Sequence, residues 1–256
     1  MNESSLSMHF ANYFRIVFAH TPERLEDVYR VRYDVYCREF HYEHEEKYPN
    51  QLEQDIYDAF SLHCLVVHRA SNLPAGCVRL IKVPRNNLDV TLPLEVVCGD
   101  SLRRSPSYPK QSSRTNLCEI SRLAVHTAFR RRSGESESPL GSGPALLNAE
   151  TSALERRTFP LISIALIAAS TAFMVLSERS HLFVMIEKWL SRLLRRLGLQ
   201  FNQIGEFIDY HGPRAPYHLT AEQMLQGMRG ELKEIYDMVH QSLADEIAKS
   251  GLDPAQ

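Results

Sequence analysis

Nine consecutive residues, Leu117-Cys-Glu119-Ile-Ser121-Arg122-Leu-Ala-Val125, do most to restrict how this chain can fold. Polar and apolar side chains alternate along them, which is the period of a strand with two unlike faces. Strict alternation sets Cys118, Ile120 and Arg122 on one side and Glu119, Ser121 and Leu123 on the other. Ile120, Leu123, Ala124 and Val125 mark the strand as at least half buried. Yet it carries a carboxylate and a guanidinium three residues apart. Burying either ion unpaired costs on the order of several kcal/mol. The strand therefore lines a cavity, or finds partner charges elsewhere in the chain.

Three other places offer such partners. Thr21-Pro-Glu23 is a helix start, with a capping hydroxyl, a proline suited to the first helical position and an acid at the positive end of the dipole. The helix is expected to run to about Phe40 and to carry Arg32 on or beside its apolar face. There Arg32 either snorkels or pairs with a buried carboxylate. In Glu53-Gln-Asp55-Ile-Tyr-Asp58, Asp55 and Asp58 face the same way if the segment is a helical turn; an ordinary capping turn is the alternative. Residues 63–69 and 76–83 read as two strands joined by the Ser71–Gly76 loop, with Arg79 between Val78 and Leu80.

The other elements are a short strand at Phe14–Phe18, a short helix near Leu94–Val97, helices over 145–157 and 161–179, a strand at His181–Ile186 and an amphipathic helix over Glu187–Leu197. On that helix Trp189, Leu190, Leu193, Leu194 and Leu197 form the apolar side. Late strands are expected at 201–206 and 207–210. His211-Gly-Pro-Arg-Ala-Pro-Tyr217 is expected to break and turn the chain, and helices follow over 220–250. Order and content fit an α/β (α+β) fold: a mixed central sheet with helices on both faces. The expected division is residues 1–219 as the domain and 220–256 as a C-terminal helical extension.

The formal net charge of -2 provides no global basic field, which argues against a nucleic-acid partner. The five cysteines are odd in number and lack metal-site spacing, so they read as reduced core thiols of a cytoplasmic protein, with no metal centre. Met1–Asn12 lacks the charged and apolar regions of a signal peptide. The run from Phe159 to Leu176 is barely long enough to span a bilayer and contains Pro160, Ser163, Ser170 and Thr171. A buried or lipid-surface helix is the favoured reading, and peripheral membrane contact stays open. Arg130, Arg131 and Arg132, and Arg192, Arg195 and Arg196, are local basic clusters.

With its charged residues in this order, the chain resembles the GNAT-type N-acyltransferases. More closely it is similar to the autoinducer (acyl-homoserine-lactone) synthases, the long-chain N-acyl amino acid synthases and, nearest, the acyltransferases associated with the PEP-CTERM/exosortase system. The resemblance runs from about Phe14 to Leu219. It rests on Arg32 followed by Tyr36 and Tyr42, on the acid pair Asp55 and Asp58, on Gly76-Cys-Val-Arg79-Leu80, and on Glu119-Ile-Ser121-Arg122. The chain departs from the autoinducer synthases in its longer loop before the aspartates, its altered second aromatic and the block Ile204–Tyr217. It also lacks a strict Gln/Arg-x-x-Gly-x-Gly/Ala phosphate loop after the fourth strand.

The resemblance implies transfer of a long fatty acyl group from acyl carrier protein, or from acyl-coenzyme A, to the amine of an amino acid or similar small molecule, with no permanently bound cofactor. Such chemistry needs a base for the amine, donors for the oxyanion and an apolar slot for the chain. Glu119 is the expected base, in a catalytic set with Ser121 and Arg122. Arg32, Tyr36, Tyr42, Asp55, Asp58 and Arg79 are the expected substrate-binding set. Arg32, Arg79 and Arg122 would balance Asp55, Asp58 and Glu119, three charges against three. Backbone N–H groups at a bulge beyond Arg122 would hold the oxyanion. The phosphopantetheine arm would enter near Leu123, Ala124 and Val125, where the fourth and fifth strands splay. Arg130, Arg131 and Arg132 would meet phosphate or acyl carrier protein. Residues 161–176 with Phe183, Met185 and Trp189 would line an acyl tunnel. Two alternatives are an acyl-homoserine-lactone synthase using S-adenosylmethionine, and a non-catalytic acyl- or carrier-binding partner of a surface-sorting system.

Overall fold

The computed structural model describes residues 5–105, 108, 112–130, 158 and 160–256. The helix expected over 145–157, together with Arg131 and Arg132, lies outside the described residues. Among those described, the strands are β1 (Phe14–Ala19), β2 (Ser61–His68), β3 (Pro74–Lys82), β4 (Leu117–Val125), β5 (His181–Glu187), β6 (Asn202–Gln203), β7 (Ile208–Asp209) and β8 (Pro213–Thr220). They form one open sheet in the order β1-β2-β3-β4-β5-β8-β6, and β7 also pairs with β8. Only β4 and β5 run parallel; the other pairs are antiparallel. The expected mixed α/β sheet with flanking helices is the fold observed.

One face of the sheet is covered by α1 (Leu6–Tyr13), α4 (Pro160–Leu176), α5 (Lys188–Arg196), α6 (Ala221–Gly227) and α7 (Gly230–Ser250). The other carries α2 (Pro22–Arg32) and α3 (Pro93–Arg104). Thr21 caps α2 as expected, its hydroxyl accepting from Arg24 N–H. Beyond Arg32 the helix widens into a π-helical turn, Tyr33–Glu39. π-Turns of this kind often accompany functional sites. The apolar run beginning at Pro160 is a core helix: Leu161, Ile162, Ala165, Leu166, Ala168, Ala169 and Phe173 are all buried. Gly76 allows it to approach β3, because a Cβ there would meet the Ala124 carbonyl at 2.7 Å and the side chains of Leu166 and Ile162. No helix among the described residues is long and apolar enough to cross a membrane.

Two expectations need correction. The His211–Tyr217 stretch does not merely turn the chain; from Pro213 it forms β8, paired to β5 from His181↔Thr220 to Glu187↔Arg214. Pro216 is tolerated because its main chain faces Ile204, whose N–H its carbonyl accepts at 2.9 Å, so its missing N–H breaks no bond to β5; Pro213 sits at the strand's first position. On α5, Leu190 and Leu194 are buried, but Trp189 is 46% exposed and Leu193 43% exposed. The helical period is right, and the sheet covers only half of the apolar arc.

α7 joins the main core through Leu232, Ile235, Val239, Leu243 and Ile247. Glu246 accepts the backbone N–H of Phe18 on edge strand β1. Lys82 Nζ donates to the Pro254 carbonyl at 2.6 Å, and Arg179 donates to Ala255 at 3.1 Å.

Candidate active site

β4 and β5 stay paired only from Leu117↔His181 to Ile120↔Val184. Beyond this point they diverge, and the opening coincides with a bulge. β3 pairs Arg79 with Ser121 and Cys77 with Ala124, leaving Arg122 and Leu123 opposite neither neighbour in the ladder. Arg122 takes a left-handed φ of 50°. For a residue with a Cβ that costs about 1–3 kcal/mol, so surrounding contacts must hold it.

The bulge changes the faces expected from strict alternation. Arg122 joins Glu119 and Ser121 on the α2 and α3 side, while Leu123 packs with the Ile120 core on the α4 side. One extra residue in a strand reverses the parity of everything after it.

On the α2 face a charge network fills the gap between two apolar clusters. Arg32 Nε donates to Glu53 at 2.5 Å and its Nη1 to Asp58 at 2.7 Å. Arg79 grips Asp55 with two nitrogens, at 2.5 and 3.0 Å, and reaches Asp58 at 2.8 Å. Its Nε donates to Ser121 Oγ at 2.9 Å. Arg122 donates to Glu53 at 3.1–3.3 Å and to Asp55 at 3.4 Å, with Glu43 at 3.5 Å. A capping box holds the acids: Asp58 accepts Asp55 N–H, and Asp55 accepts Tyr57 N–H.

The third acid of this network is Glu53, not Glu119. Glu53 is fully buried, and sequence reasoning did not select it. The signal was present: Glu53-x-Asp55 puts two acids on one side of an extended segment leading into the Asp58 turn. Burial pushes the Glu53 carboxyl upward, but Arg32 and Arg122 outweigh burial and bring its pKa down to about 2. Burial likewise opposes Asp58, and Arg32 and Arg79 still drive it well below the carboxylate range. His63, 3.6 Å from Asp58, is held neutral by burial, with its pKa lowered to about 3.

Glu119 stands apart. It is 3% exposed, forms no ion pair among the described residues, and accepts one hydrogen bond at 3.0 Å from Leu94 N–H in the first turn of α3. Burial raises its pKa to about 8, against the opposing pull of the Leu94 N–H and Arg79. The α3 start is itself fixed. Glu95 accepts Leu92 N–H, is gripped by Arg114 at 2.8 Å through both oxygens, and accepts the Tyr108 hydroxyl.

A cavity of about 280 Å³ runs through the sheet at the splay. On one side it is polar, lined by Tyr42, Glu43, Asp55, Arg79, Glu119, Arg122, Glu187 and Arg214. On the other it is apolar, lined by Ile167, Val184, Ile186, Leu190, Leu194 and Phe201. Tyr36 stands at the junction; its hydroxyl donates to the Leu123 carbonyl at 2.8 Å, and Arg122 lies over its ring. Tyr42 stacks on His211 at 4.4 Å, beneath the Arg214 guanidinium.

The structure therefore brings Tyr36, Tyr42, Asp55, Arg79, Glu119, Ser121, Arg122 and Leu123 to one cavity. Arg32 and Asp58 do not line it; they hold the wall from behind. Ala124 and Val125 are sealed against Cys77 and Gly76 of β3. Arg130 is 1% exposed, ion-paired to Glu39 and set over the Phe40 ring. The Thr127–Phe129 turn carries it beneath the π-helical segment, so it is no surface contact for phosphate or a carrier protein. From the expected tunnel lining, Ile167 and Met185 reach the cavity, whereas Phe183 and Trp189 do not. Among the described residues, no group of three His, Cys, Asp or Glu is placed to hold a metal ion.

Residues 31–137 match the model of the acetyltransferase (GNAT) domain. Solved structures share the fold. TofI, in a complex with an inhibitor and MTA, superposes with a TM-score of 0.56 at 17% identity, covering 86% of this chain and 99% of TofI. The CoA-dependent acyl-homoserine lactone synthase BjaI, with SAM and isopentyl-CoA, gives 0.54 at 16% identity, covering 89% of each chain. The N-acyl amino acid synthase FeeM, from uncultured soil microbes, gives 0.52 at 11% identity, covering 84% of this chain and 94% of FeeM. No curated protein matches by sequence. The domain match over residues 31–137 and the GNAT-like fold together support an acyltransferase. Within that class, its fold is shared by the acyl-homoserine lactone synthases and FeeM.

Proposed function

We propose that the chain is an N-acyltransferase that moves a long fatty acyl group from a pantetheine thioester to the amine of an amino acid or a related small molecule. The observation that carries this reading is the two-sided cavity: an apolar chamber and a polar chamber meet at the β4–β5 splay, beside a buried, unpaired acid. The pantetheine arm is common to acyl carrier protein and coenzyme A. Acyl carrier protein is the donor we favour, and both thioesters enter the assay.

In this reading the thioester carbonyl lies at the splay, with its chain among Ile167, Val184, Leu190 and Leu194. Ionised Glu119 takes a proton from the bound ammonium, directly or through water, and the freed amine nitrogen attacks the carbonyl carbon; a base with a pKa near the working pH suits this step. The C–N bond forms, the C–S bond breaks, and the second proton of the attacking nitrogen passes through solvent to the leaving thiolate. Backbone N–H groups at the Arg122 bulge are the proposed oxyanion donors.

The polar chamber favours a zwitterionic acceptor. Apart from the base Glu119, Arg79, Arg122 and Arg214 face Glu43, Asp55 and Glu187, three charges against three. An α-amino acid presents one charge of each sign. The block Ile204–Tyr217, where the chain departs from the autoinducer synthases, supplies His211 and Arg214 and is where we place acceptor choice.

The test is thiol release from purified protein with long-chain acyl carrier protein or acyl-coenzyme A, against a panel of amino acids and S-adenosylmethionine. Acceptor-dependent release with an amino acid supports the reading. Release with S-adenosylmethionine and formation of a lactone would favour the autoinducer-synthase alternative. Thioester binding without release from any acceptor would favour a binding role.

A further inference from the structure

The outer face of α5 is not explained by the reaction. The helix sequence is Lys188-Trp-Leu-Ser-Arg-Leu-Leu-Arg-Arg196, with four cations and no acid. Leu190 and Leu194 point inward and line the apolar chamber. Lys188, Arg192, Arg195 and Arg196 are exposed. Trp189 and Leu193, one turn apart, are exposed beside Arg192 and Arg196, which are also one turn apart. Together Trp189 and Leu193 make one exposed apolar patch on this helix, with the Trp189 indole N–H donating to Glu187 at the helix start.

We propose that α5 is an interfacial helix that seats this face of the protein on an anionic lipid bilayer. The charge pattern selects that occupant: four cations with no ion-pair partner among the described residues suit anionic headgroups, and an exposed indole beside a leucine suits the boundary between headgroup and acyl chain. The position fits as well. One helix separates the apolar chamber from the lipid, with Leu190 and Leu194 on its inner side and Trp189 and Leu193 on its outer side. If the proposed acyl transfer holds, its amphiphilic product leaves next to the bilayer; the docking itself does not depend on that reading.

The chain carries its own probe, because Trp189 is its sole tryptophan. Full-length protein is titrated with phosphatidylcholine vesicles and with vesicles containing about one third phosphatidylglycerol, following Trp189 emission and co-sedimentation. The expected result is a blue shift and sedimentation with the anionic vesicles alone, both weakened by high salt. Arg192→Gln with Arg196→Gln should weaken binding about thirtyfold, with the circular dichroism spectrum unchanged. Trp189→Ser with Leu193→Ser should abolish sedimentation. Glu119→Gln should bind as the wild type does, which separates this claim from the catalytic one. An unshifted emission with anionic vesicles overturns the proposal. So does binding that the Arg192→Gln, Arg196→Gln protein retains in full, and so does a shift caused by an acidic acyl carrier protein but not by vesicles.

Discussion

Leu94 donates its backbone N–H to the Glu119 carboxylate across 3.0 Å, and this bond from the first turn of α3 is the hydrogen bond that Glu119 accepts. The helix start favours the anion; burial opposes it and prevails, leaving a carboxyl with a pKa of about 8. Two β4 positions further on, Ser121 belongs to a network in which every carboxylate has a guanidinium. The strand thus carries one acid with no ion pair among the described residues beside a neutralised scaffold.

If Glu119 is the base, Glu119→Gln removes proton acceptance and changes little else in shape. Turnover should fall by about 10²–10⁴, with thioester binding retained. Wild-type kcat/KM should rise with pH and level off above about pH 8, where the carboxylate is ionised. A pH–rate profile on both proteins checks this.

The same carboxyl makes a stability prediction. Its folded pKa lies above its unfolded value, so its contribution is fully present below the unfolded pKa of 4.5 and is lost as pH rises through about 8. The stability difference between Glu119→Gln and wild type should therefore shift in favour of the variant across that window, by on the order of a few kcal/mol, and be flat above it. Urea unfolding at several pH values measures it.

Glu53 behaves oppositely. Its folded pKa is lowered to about 2, so its stabilisation is present above the unfolded pKa of 4.5 and is lost as pH falls through about 2. Glu53→Gln leaves Arg32 and Arg122 short of a carboxylate and should cost about 3–5 kcal/mol at neutral pH. It also releases the contact that holds Arg122 in its left-handed conformation, so activity should fall together with thermal stability.

Chain-length choice should follow the apolar end of the cavity. Leu190→Phe and Ile167→Phe add volume where the acyl chain is proposed to lie and should shift products toward shorter chains, with overpacking costs of about 1–3 kcal/mol. Mass analysis of products from a mixed donor pool reads this out. Arg214→Gln should instead raise KM for the acceptor and spare the donor.

Much of this architecture was legible in the sequence. Glu119-Ile-Ser121-Arg122, Arg79 between valine and leucine, and Arg32 beside an apolar stripe each placed charge where burial was expected, and the structure brings all three arginines together. What stayed hidden depends on tertiary geometry. The resemblance implied a bulge beyond Arg122, but that it takes in Arg122 itself and turns it to the Glu119 face is a pairing irregularity with no local signature. Glu53 could not be put in the place of Glu119 without knowing which acid meets both Arg32 and Arg122. β8 was obscured by Pro213 and Pro216, which its edge pairing with β6 and β7 accommodates. The buried setting of Arg130 depends on Glu39 and Phe40, about 90 residues earlier in the chain.

The most direct measurement is mass spectrometry of lipid extracts from cells expressing the wild type and Glu119→Gln. The account predicts a new long-chain N-acyl amino acid with the wild type and its absence with the variant, both proteins being present and folded. The same acylated product at equal yield from Glu119→Gln would contradict the assignment of the base. A wild type that yields no acylated amine, with donor and amino acids available, would contradict the acyl transfer itself.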